Sequence, residues 1–396
     1  MNTRNNAGGI GGELRELLRK NVKSYMMYIV LVVIMVFFQV RTGGLFFKPA
    51  NISNLFNQVA YVAVLAIGMT VVLILRQIDL SVGYVAGFCG AVAALLLRNT
   101  SIPVGLVLLI VLLIGAAIGV YQGTLVTYVG VPAFVTTLAG MFIFRGILSV
   151  ALSKNGTINI SNETFNALCN SFIPDFMSES HYHVVTMVIA VIAVLLIVWN
   201  SLKSRRNKIK YNLKVSSMPV FTAQQILFSA VLLGACHMLA SYKGLPWSIV
   251  IVGVILLVYN YVLNNTKLGR AVYGIGGNEQ AAALSGINVR KVKMIAFISM
   301  STMAALSGIM YSSRLKSASP AAGVAFEMDA IASAYIGGVA VAGGSGKVTN
   351  AIVGTFIIMA LTNGMNLLRV DISYQYIVKG LIFIAAVAFD VRSKGQ

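Results

Sequence analysis

Residues 101–121 read SIPVGLVLLIVLLIGAAIGVY and contain no charged side chain. A run of about 20 apolar residues is long enough to cross a hydrocarbon core of ~30 Å as a single helix. The whole chain shows the same bias, because its 396 residues are 58% hydrophobic and only 10% charged, with a mean hydropathy of +0.85. These values lie outside the range of ordinary soluble domains. We therefore predict an all-α polytopic membrane protein.

Similar apolar runs recur along the chain and predict about 10–12 transmembrane helices. The candidate spans lie near 25–41, 55–75, 82–97, 101–121, 132–152, 184–202, 220–240, 245–263, 294–312, 328–343, 349–368 and 375–390. One transmembrane permease domain is predicted for residues 25–396, after an N-terminal segment at 1–24. Spans 82–97 and 328–343 are interrupted by glycine, and broken helices in transporters usually lie beside the translocation path.

The distribution of charge predicts the orientation. The chain carries 30 Lys and Arg against 11 Asp and Glu, for a net charge of +19. The basic residues are dispersed between apolar runs without an aromatic stacking platform, so a nucleic-acid partner is not predicted. Segments 203–218 and 264–293 are basic, whereas 153–183 contains Glu163, Asp175 and Glu179 against Lys154. By the positive-inside rule the first two segments and both termini are cytoplasmic, and 153–183 is extracytoplasmic.

The residue types that carry catalysis or bind metals do not form a recognisable group. Cys89, Cys169 and Cys236 lack C-x-x-C spacing and are predicted to be buried or lipid-facing thiols. The three histidines do not form a metal-ligand set. No nucleophile elbow or glycosidase acid pair occurs. We therefore predict no catalytic residue, no metal and no resident cofactor.

The stretch RQIDLSVG, residues 76–83, places Asp79 between two apolar runs. An intramembrane carboxylate is a functional hypothesis by default because its burial is costly. Three interpretations are open: Asp79 or Ser81 caps a helix that begins near Val82, Asp79 handles substrate or protons, or Asp79 pairs with Arg76.

The stretch GGVAVAGGSGKVTNA, residues 337–351, resembles a phosphate-binding loop. The pattern G-x-x-x-x-G-K-[ST] requires a first glycine and a final Ser or Thr. Val341 and Val348 occupy those two positions, so ATP binding is not predicted here. The glycines instead favour close packing and a tight turn near the translocation path, with Lys347 at the inner surface.

The loop at 264–293 contains a short helix-compatible segment at 279–284, bracketed by Gly276, Gly277 and Gly286. A small-residue helix framed by glycines suits docking into the groove of a partner protein. A solvated connector is the alternative interpretation.

Four phrases, in order, resemble one family: IDLSVG, VPAFVTTLAGMFIFRG, GIGGNEQAAALSGINV and GGVAVAGGSGKVTNAIVGTFIIMALTNGMNLL. They are similar to the membrane permease of bacterial ABC importers for monosaccharides, over about 45–391. The resemblance implies a type II importer-like permease that forms a homodimer in the inner membrane. It also implies a cytoplasmic ATPase subunit, which binds ATP and magnesium, and an extracytoplasmic sugar-binding protein. The cargo is then expected to be xylose, galactose or several sugars.

The sequence departs from this family in two places. Arg76 and Gln77 stand where small or apolar residues are usual. The region 184–243 adds two spans to the core of shorter ribose-type permeases, as in longer xylose and multiple-sugar members.

The resemblance assigns a coupling role to one set of residues, and the hydrogen-bonding and aromatic groups that a sugar needs suggest a second set. The residues expected to couple the permease to the ATPase are Gly277, Asn278, Glu279, Ala282, Ser285 and Gly286. The candidates for the substrate path are polar or aromatic residues in or beside the predicted spans, namely Asp79, Ser81, Phe134, Thr136, Thr137, Asn363 and Asn366. For each of the path candidates, ordinary helix packing is the competing role.

Other functions remain as alternatives. An ion-coupled secondary transporter would use Asp79 and Asp390 as proton carriers, but it would not need the long loop at 264–293. An ABC permease for a nucleoside or a signalling furanose would share most of the same sequence features. A membrane enzyme would require a polar catalytic cluster.

Overall fold

The computed structural model describes residues 22–154, 156–176, 182–213 and 215–392. Fifteen α-helices lie in this part of the chain. The first eight are α1 (Val22–Arg41), α2 (Pro49–Ile74), α3 (Val82–Asn99), α4 (Val104–Thr124), α5 (Ala133–Leu152), α6 (Glu163–Asn170), α7 (Val184–Lys210) and α8 (Met218–Ala240). The others are α9 (Trp247–Asn265), α10 (Lys267–Gly277), α11 (Glu279–Leu284), α12 (Val289–Leu315), α13 (Phe326–Ile336), α14 (Val348–Leu367) and α15 (Ile372–Arg392).

Two features complete the secondary structure. A π-helical turn, Leu125–Val129, extends α4. Strands β1 (Ile158–Asn159) and β2 (Ser317–Ala318) form an antiparallel ribbon. The predicted N-terminal segment 1–24 falls almost entirely outside the described residues, as do Glu179 and His181.

Nine helices of the described ranges are long and apolar enough to cross a membrane, namely α2, α3, α4, α5, α7, α8, α9, α12 and α14. Shorter apolar stretches lie at Met26–Arg41 and Ile372–Ala385. The chain is therefore an all-α multi-pass membrane protein, as the sequence predicts.

The predicted span at 328–343 is wrong. Helix α13 ends at Ile336, and residues 337–347 form turns. Its 11 residues rise only about 16 Å, roughly half of a hydrocarbon core. The aliphatic residues of this stretch make it apolar on average, but the glycines that begin at Gly337 and Gly338 disfavour a helix beyond Ile336.

Helix α12 lies at the centre of the bundle and packs against α2, α3 and α4. Its small residues Ala304 and Ala305 are fully buried, which allows these helices to approach closely. The α7–α8 hairpin is peripheral by contrast. Only 11% of the most apolar window of α7 and 6% of that of α8 is buried inside the protein.

The two ends of the bundle differ in structure. One end carries the α7–α8 loop together with α10 and α11, and we call it the basic end. The opposite end carries the β1–β2 ribbon and α6, which packs on the end of α12. Ser313 Oγ accepts a hydrogen bond from the Cys169 amide at 3.1 Å and donates to the Phe165 carbonyl at 2.9 Å. The segment predicted as the long outer loop is therefore folded over the bundle.

Candidate functional site

Helices α3 and α13 begin inside the bundle, and their N-termini meet. Residues 75–81 lead into α3 from the basic end, and residues 316–325 lead into α13 from the opposite end. Gly83, in the first turn of α3, packs against the Gly323 carbonyl and the Glu327 carboxylate, so that a β-carbon at Gly83 would clash with both. Because α13 rises about 16 Å, this meeting point lies roughly halfway through the bilayer.

Asp79 is fully buried in the segment before α3 and belongs to a polar network. Its Oδ1 accepts hydrogen bonds from the Ser81 amide at 2.9 Å and the Ser81 hydroxyl at 2.7 Å. Gln122 of α4 donates to Ser81 Oγ at 2.7 Å. Thr137 of α5 donates to the Ile78 carbonyl at 3.2 Å. The network ties the unwound segment to α4 and α5 within the bundle.

Three acceptor or hydroxyl atoms in this region have no hydrogen-bond partner among the described residues. They are Asp79 Oδ2, Gln122 Oε1 and Thr136 Oγ1. A buried polar atom without a partner costs free energy and marks a place where water or a polar ligand can bind.

The network bears on two of the three interpretations of Asp79, the helix cap and the Arg76 pair. The α3 helix begins at Val82 as predicted, but Ser81 makes no capping hydrogen bond with its side chain. Asp79 forms an Asx turn on Ser81 instead. The Arg76–Asp79 pair is not formed, because Arg76 binds elsewhere.

The first turn of α13 carries two further carboxylates, Glu327 and Asp329, and both are buried. Glu327 lies against the N-terminus of α3, where the helix dipole favours a negative charge. Its Oε2 lacks a partner among the described residues. Asp329 binds Lys379 of α15, with Nζ at 2.9 Å from Oδ1 and 3.1 Å from Oδ2.

An aromatic cluster lies beside the start of α13. The ring of Phe326 is 5.2 Å from that of Tyr61 and 4.9 Å from that of Tyr311, measured between centroids. The Arg314 guanidinium lies 6.0 Å from the Tyr61 ring and donates to Asn54 Oδ1 at 2.9 Å. Asn54 is exposed near the start of α2, so polar groups continue from this cluster toward the opposite end.

At the basic end, Arg76 joins the segment before α3 to α10. Its Nε donates to the Gly276 carbonyl and its Nη2 to the Gly277 carbonyl, both at 2.7 Å. These carbonyls are in the last residues of α10, directly before α11. The entry of α3 is thereby bonded to the end of α10, which directly precedes α11.

The glycine-rich loop at 337–347 contacts the same place. The Gly344 amide donates to the Ile74 carbonyl at 2.9 Å, at the end of α2. Gly344 has a φ of +70°, and a β-carbon on it would lie 2.8 Å from Gly277 Cα. Tyr273 of α10 donates to the Gly346 carbonyl at 2.8 Å, and burial raises the pKa of its phenol. We call this contact of Ile74, Arg76, residues 273–277 and residues 343–346 the junction.

Helix α11 covers the predicted segment 279–284. Asn278 caps it, because its Oδ1 accepts from the Ala281 amide at 3.0 Å. Glu279 binds Lys293 of α12, with Nζ to Oε1 at 2.8 Å. Leu284 is 90% exposed, whereas Ala282 is buried in the protein and is not available to a partner. Gly277, Asn278, Ser285 and Gly286 are exposed.

The structure brings together only some of the path candidates. Asp79, Ser81, Thr136 and Thr137 are buried near one another. Asn363 lies elsewhere, where it exchanges hydrogen bonds with Asn51 of α2 at 2.9 and 3.1 Å. Asn366 is exposed and accepts from Gln375 at 2.8 Å.

The side chain of Phe134 is 55% exposed, unlike those of the buried candidates. Gln122, Glu327, Asp329, Lys379 and the aromatic cluster were missed from the sequence. The rule that marked Asp79, a carboxylate within an apolar run, also applies to Glu327 and Asp329. Gln122 is uncharged, so this rule does not mark it.

Interrupted helices that meet inside a multi-pass bundle, next to buried polar groups, define a transport permease. The chain belongs to the family described as branched-chain amino acid transport system / permease component, which matches residues 51–206 and 167–387.

Relatives match over nearly the whole chain. The xylose transport system permease protein XylH of Haemophilus influenzae is 38% identical over 94% of this chain and 97% of its own length. XylH of Escherichia coli K12 is 35% identical over 98% and 95%. The ribose import permease protein RbsC of H. influenzae is 33% identical over 87% and 86%. No solved structure matches the chain.

Proposed function

We propose that the chain is the transmembrane permease subunit of an ATP-driven importer for a monosaccharide, either xylose, galactose or several sugars. A cytoplasmic ABC ATPase binds ATP and magnesium, and an extracytoplasmic protein delivers the sugar to a dimer of two permease copies. The protein then lies in the bacterial cytoplasmic membrane with both termini inside, which makes the basic end cytoplasmic. The relatives named for xylose and ribose transport support a monosaccharide as the cargo.

The junction is the observation that carries this proposal. It ties α10, and through it α11, to the segments before α3 and after α13, whose N-termini meet at the bilayer midplane. A push on α11 from an ATPase therefore acts on both broken helices at once. A secondary transporter has no need of such a connection.

The midplane region has the chemistry that a sugar requires for transient binding. Tyr61, Tyr311 and Phe326 offer aromatic faces. Asp79 Oδ2 and Glu327 Oε2, which lack partners among the described residues, can accept hydrogen bonds from hydroxyl groups. With few strong contacts, a sugar is held weakly enough to be released.

Leu284 provides the test for the ATPase. An exposed leucine on a short helix suits a hydrophobic groove in a partner. We expect Leu284→Asp to abolish co-purification with the co-expressed ATPase. The matched control is Leu213→Asp, because Leu213 is also exposed at the basic end but lies in the α7–α8 loop. Retention of the complex by Leu284→Asp, or equal loss in both variants, would contradict docking at α11.

Asp79→Asn separates the proposal from proton coupling. Asn keeps an oxygen that accepts from the Ser81 amide and hydroxyl, so the fold of the segment is retained. A proton carrier at this position would lose transport entirely. We expect uptake of labelled xylose to persist in Asp79→Asn, to stop on ATP depletion and to survive a protonophore. The side chain of Asp390, the second suggested carrier, lies outside the described residues.

The nucleoside and furanose alternatives differ only in cargo. The cargo is assigned by competition in cells that express the permease, the ATPase and the binding protein. Uptake of labelled xylose is measured there with excess unlabelled xylose, galactose, ribose or a nucleoside. Competition by the nucleoside alone would replace the sugar in the proposal.

A further inference from the structure

The α7–α8 hairpin carries a polar cleft at the basic end of the bundle. Helix α7 has 27 residues, so it rises about 40 Å and extends beyond a hydrocarbon core of ~30 Å. Trp199 is 68% exposed on this helix, and exposed tryptophans mark the level of the lipid headgroups. The residues that follow Trp199 therefore lie at the membrane surface.

The cleft lies between the last turns of α7 and the start of α8 and has a volume of about 390 Å³. This is within the range of roughly 300–1,000 Å³ for small-ligand pockets. Hydrogen-bonding side chains line it, with two positive charges among them: Ser201, Ser204, Arg205, Lys208 and Gln225.

Arg205 is held in place on the cleft wall. Its Nη1 donates to the Ser216 carbonyl at 2.6 Å, and its guanidinium lies 5.0 Å from the centroid of the Phe221 ring. A guanidinium has five N–H donors, so the bond to Ser216 is compatible with further bonds to an anion. An arginine fixed in this way loses little side-chain entropy when it binds one.

The positive charge of the cleft has no acidic counterpart in the hairpin. The sequence contains no Asp or Glu between Glu179 and Glu279, whereas Lys203, Arg205, Arg206, Lys208 and Lys210 crowd the end of α7. An anion for Arg205 and Lys208 must therefore come from outside the hairpin.

We infer that the cleft binds the phosphodiester headgroup of an anionic phospholipid of the inner leaflet. This inference rests on the proposed function for its orientation, which places the basic end on the cytoplasmic side. Lys and Arg next to a membrane attract anionic lipids, and a headgroup at this level reaches the cleft while its acyl chains pack on the exposed apolar faces of α7 and α8. Leu195, Leu196 and Leu227 are among the exposed residues of those faces. The hairpin is thus a lipid-binding element beside the permease core.

Native mass spectrometry of the full-length protein in a neutral detergent tests the inference without any measurement of transport. Phosphatidylglycerol is titrated against phosphatidylcholine, whose choline cation is repelled by the cleft. We expect wild type to retain phosphatidylglycerol preferentially and Arg205→Gln/Lys208→Gln to weaken this binding by roughly tenfold or more. The control Arg206→Gln/Lys210→Gln removes the same charge from the same helix outside the cleft lining, so it should weaken the binding clearly less than the cleft variant.

Two additional measurements distinguish headgroup binding from collapse of the cleft and from binding of free phosphate. Lys208→Gln alone leaves both Arg205 contacts intact, so weaker lipid binding by this variant cannot be attributed to collapse of the cleft. Inorganic phosphate at millimolar concentration should not displace the lipid. Equal losses in both double variants, equal retention of the two lipids, or displacement by phosphate would each overturn the assignment.

Discussion

Arg76, within the junction, adopts an unusual backbone conformation. Its φ is +60°, in the left-handed region that a non-glycine residue adopts only at a cost of about 1–2 kcal/mol. The conformation is maintained by the two bonds from its guanidinium to the carbonyls of Gly276 and Gly277. Strain that is kept by a specific contact in this way points to a role in function.

Arg76→Gly tests this residue, because glycine accepts the same φ while the whole side chain, with its guanidinium, is lost. Loss of two charge-assisted hydrogen bonds should reduce ATP-driven xylose uptake roughly tenfold, while the ATPase continues to hydrolyse ATP in the complex. Uptake and hydrolysis are measured together in proteoliposomes. Gln77→Ala, in the same segment, should keep both rates. An unchanged ratio of uptake to hydrolysis in Arg76→Gly would show that the junction does not transmit motion.

Gly344 and Gly338 form a matched pair in the glycine-rich loop. Both have positive φ, +70° and +86°, but a β-carbon on Gly338 meets no atom within 4 Å, whereas one on Gly344 approaches Gly277. Gly338→Ala should therefore cost only the backbone term of about 1–2 kcal/mol. Gly344→Ala should lower the melting temperature further and uncouple hydrolysis from uptake. Equal effects of the two substitutions would assign the whole loss to backbone conformation.

Members of the buried polar network were predictable where one residue stands out from its surroundings. Asp79 is a carboxylate in an apolar run, and Thr136 and Thr137 are polar residues in an apolar span. Asn363 is also a polar residue in an apolar span, but its side chain is hydrogen-bonded to Asn51, 312 positions away. Only the fold shows which polar residues share a site.

Among the helices, α13 shows why hydropathy alone overestimates the length of a helix. Residues 328–343 are apolar enough to read as a span, yet the helix stops where glycines begin. Helix α11 was predicted within its observed bounds because glycines and the Asn278 cap delimit it locally. Elements defined by local signals were found, and the re-entrant entries to α3 and α13 were not, because they depend on contacts distant in sequence.

The half-helix α13 is fixed to α15 by the Asp329–Lys379 ion pair. Lys379→Met leaves a buried carboxylate without its cation, which should lower the free energy of unfolding by about 3–5 kcal/mol. Asp329→Asn/Lys379→Met should recover most of this loss because no charge remains. Thermal unfolding in detergent measures both, with the exposed Lys347→Met as control. If the double variant is no more stable than the single one, the pair is not what positions α15.

At the scale of the whole molecule, the parity of spans and the charge of the loops agree. Helices α7 and α9 end at the same end of the bundle, inside the predicted basic segments 203–218 and 264–293. The predicted loop 203–218 begins too early, because α7 continues to Lys210. The α7–α8 hairpin is inserted into this arrangement as a pair of antiparallel helices. Its removal therefore changes the orientation of no other helix.

The structure also shows where the hairpin can be removed. The Ile173 amide donates to the Leu245 carbonyl at 2.9 Å, so the chain enters and leaves the hairpin at adjacent points. Two glycines in place of residues 174–244 can join these antiparallel ends as a tight turn. The exposed faces of the hairpin contact lipid, and lipid can cover the core surface that Leu239 and Ala240 leave behind.

We expect this deletion variant to insert, bind the ATPase through α11 and import xylose within roughly threefold of the full-length rate, because the junction and the midplane site are untouched. Co-purification and uptake are measured in membranes, and thiol labelling of a cysteine introduced at exposed Leu284 checks that α11 lies on the same side of the membrane as in the full-length protein. A variant that inserts correctly and binds the ATPase but does not transport would place the hairpin within the transport mechanism. Preserved transport together with loss of retained phosphatidylglycerol would instead separate lipid binding in the hairpin from sugar movement through the core.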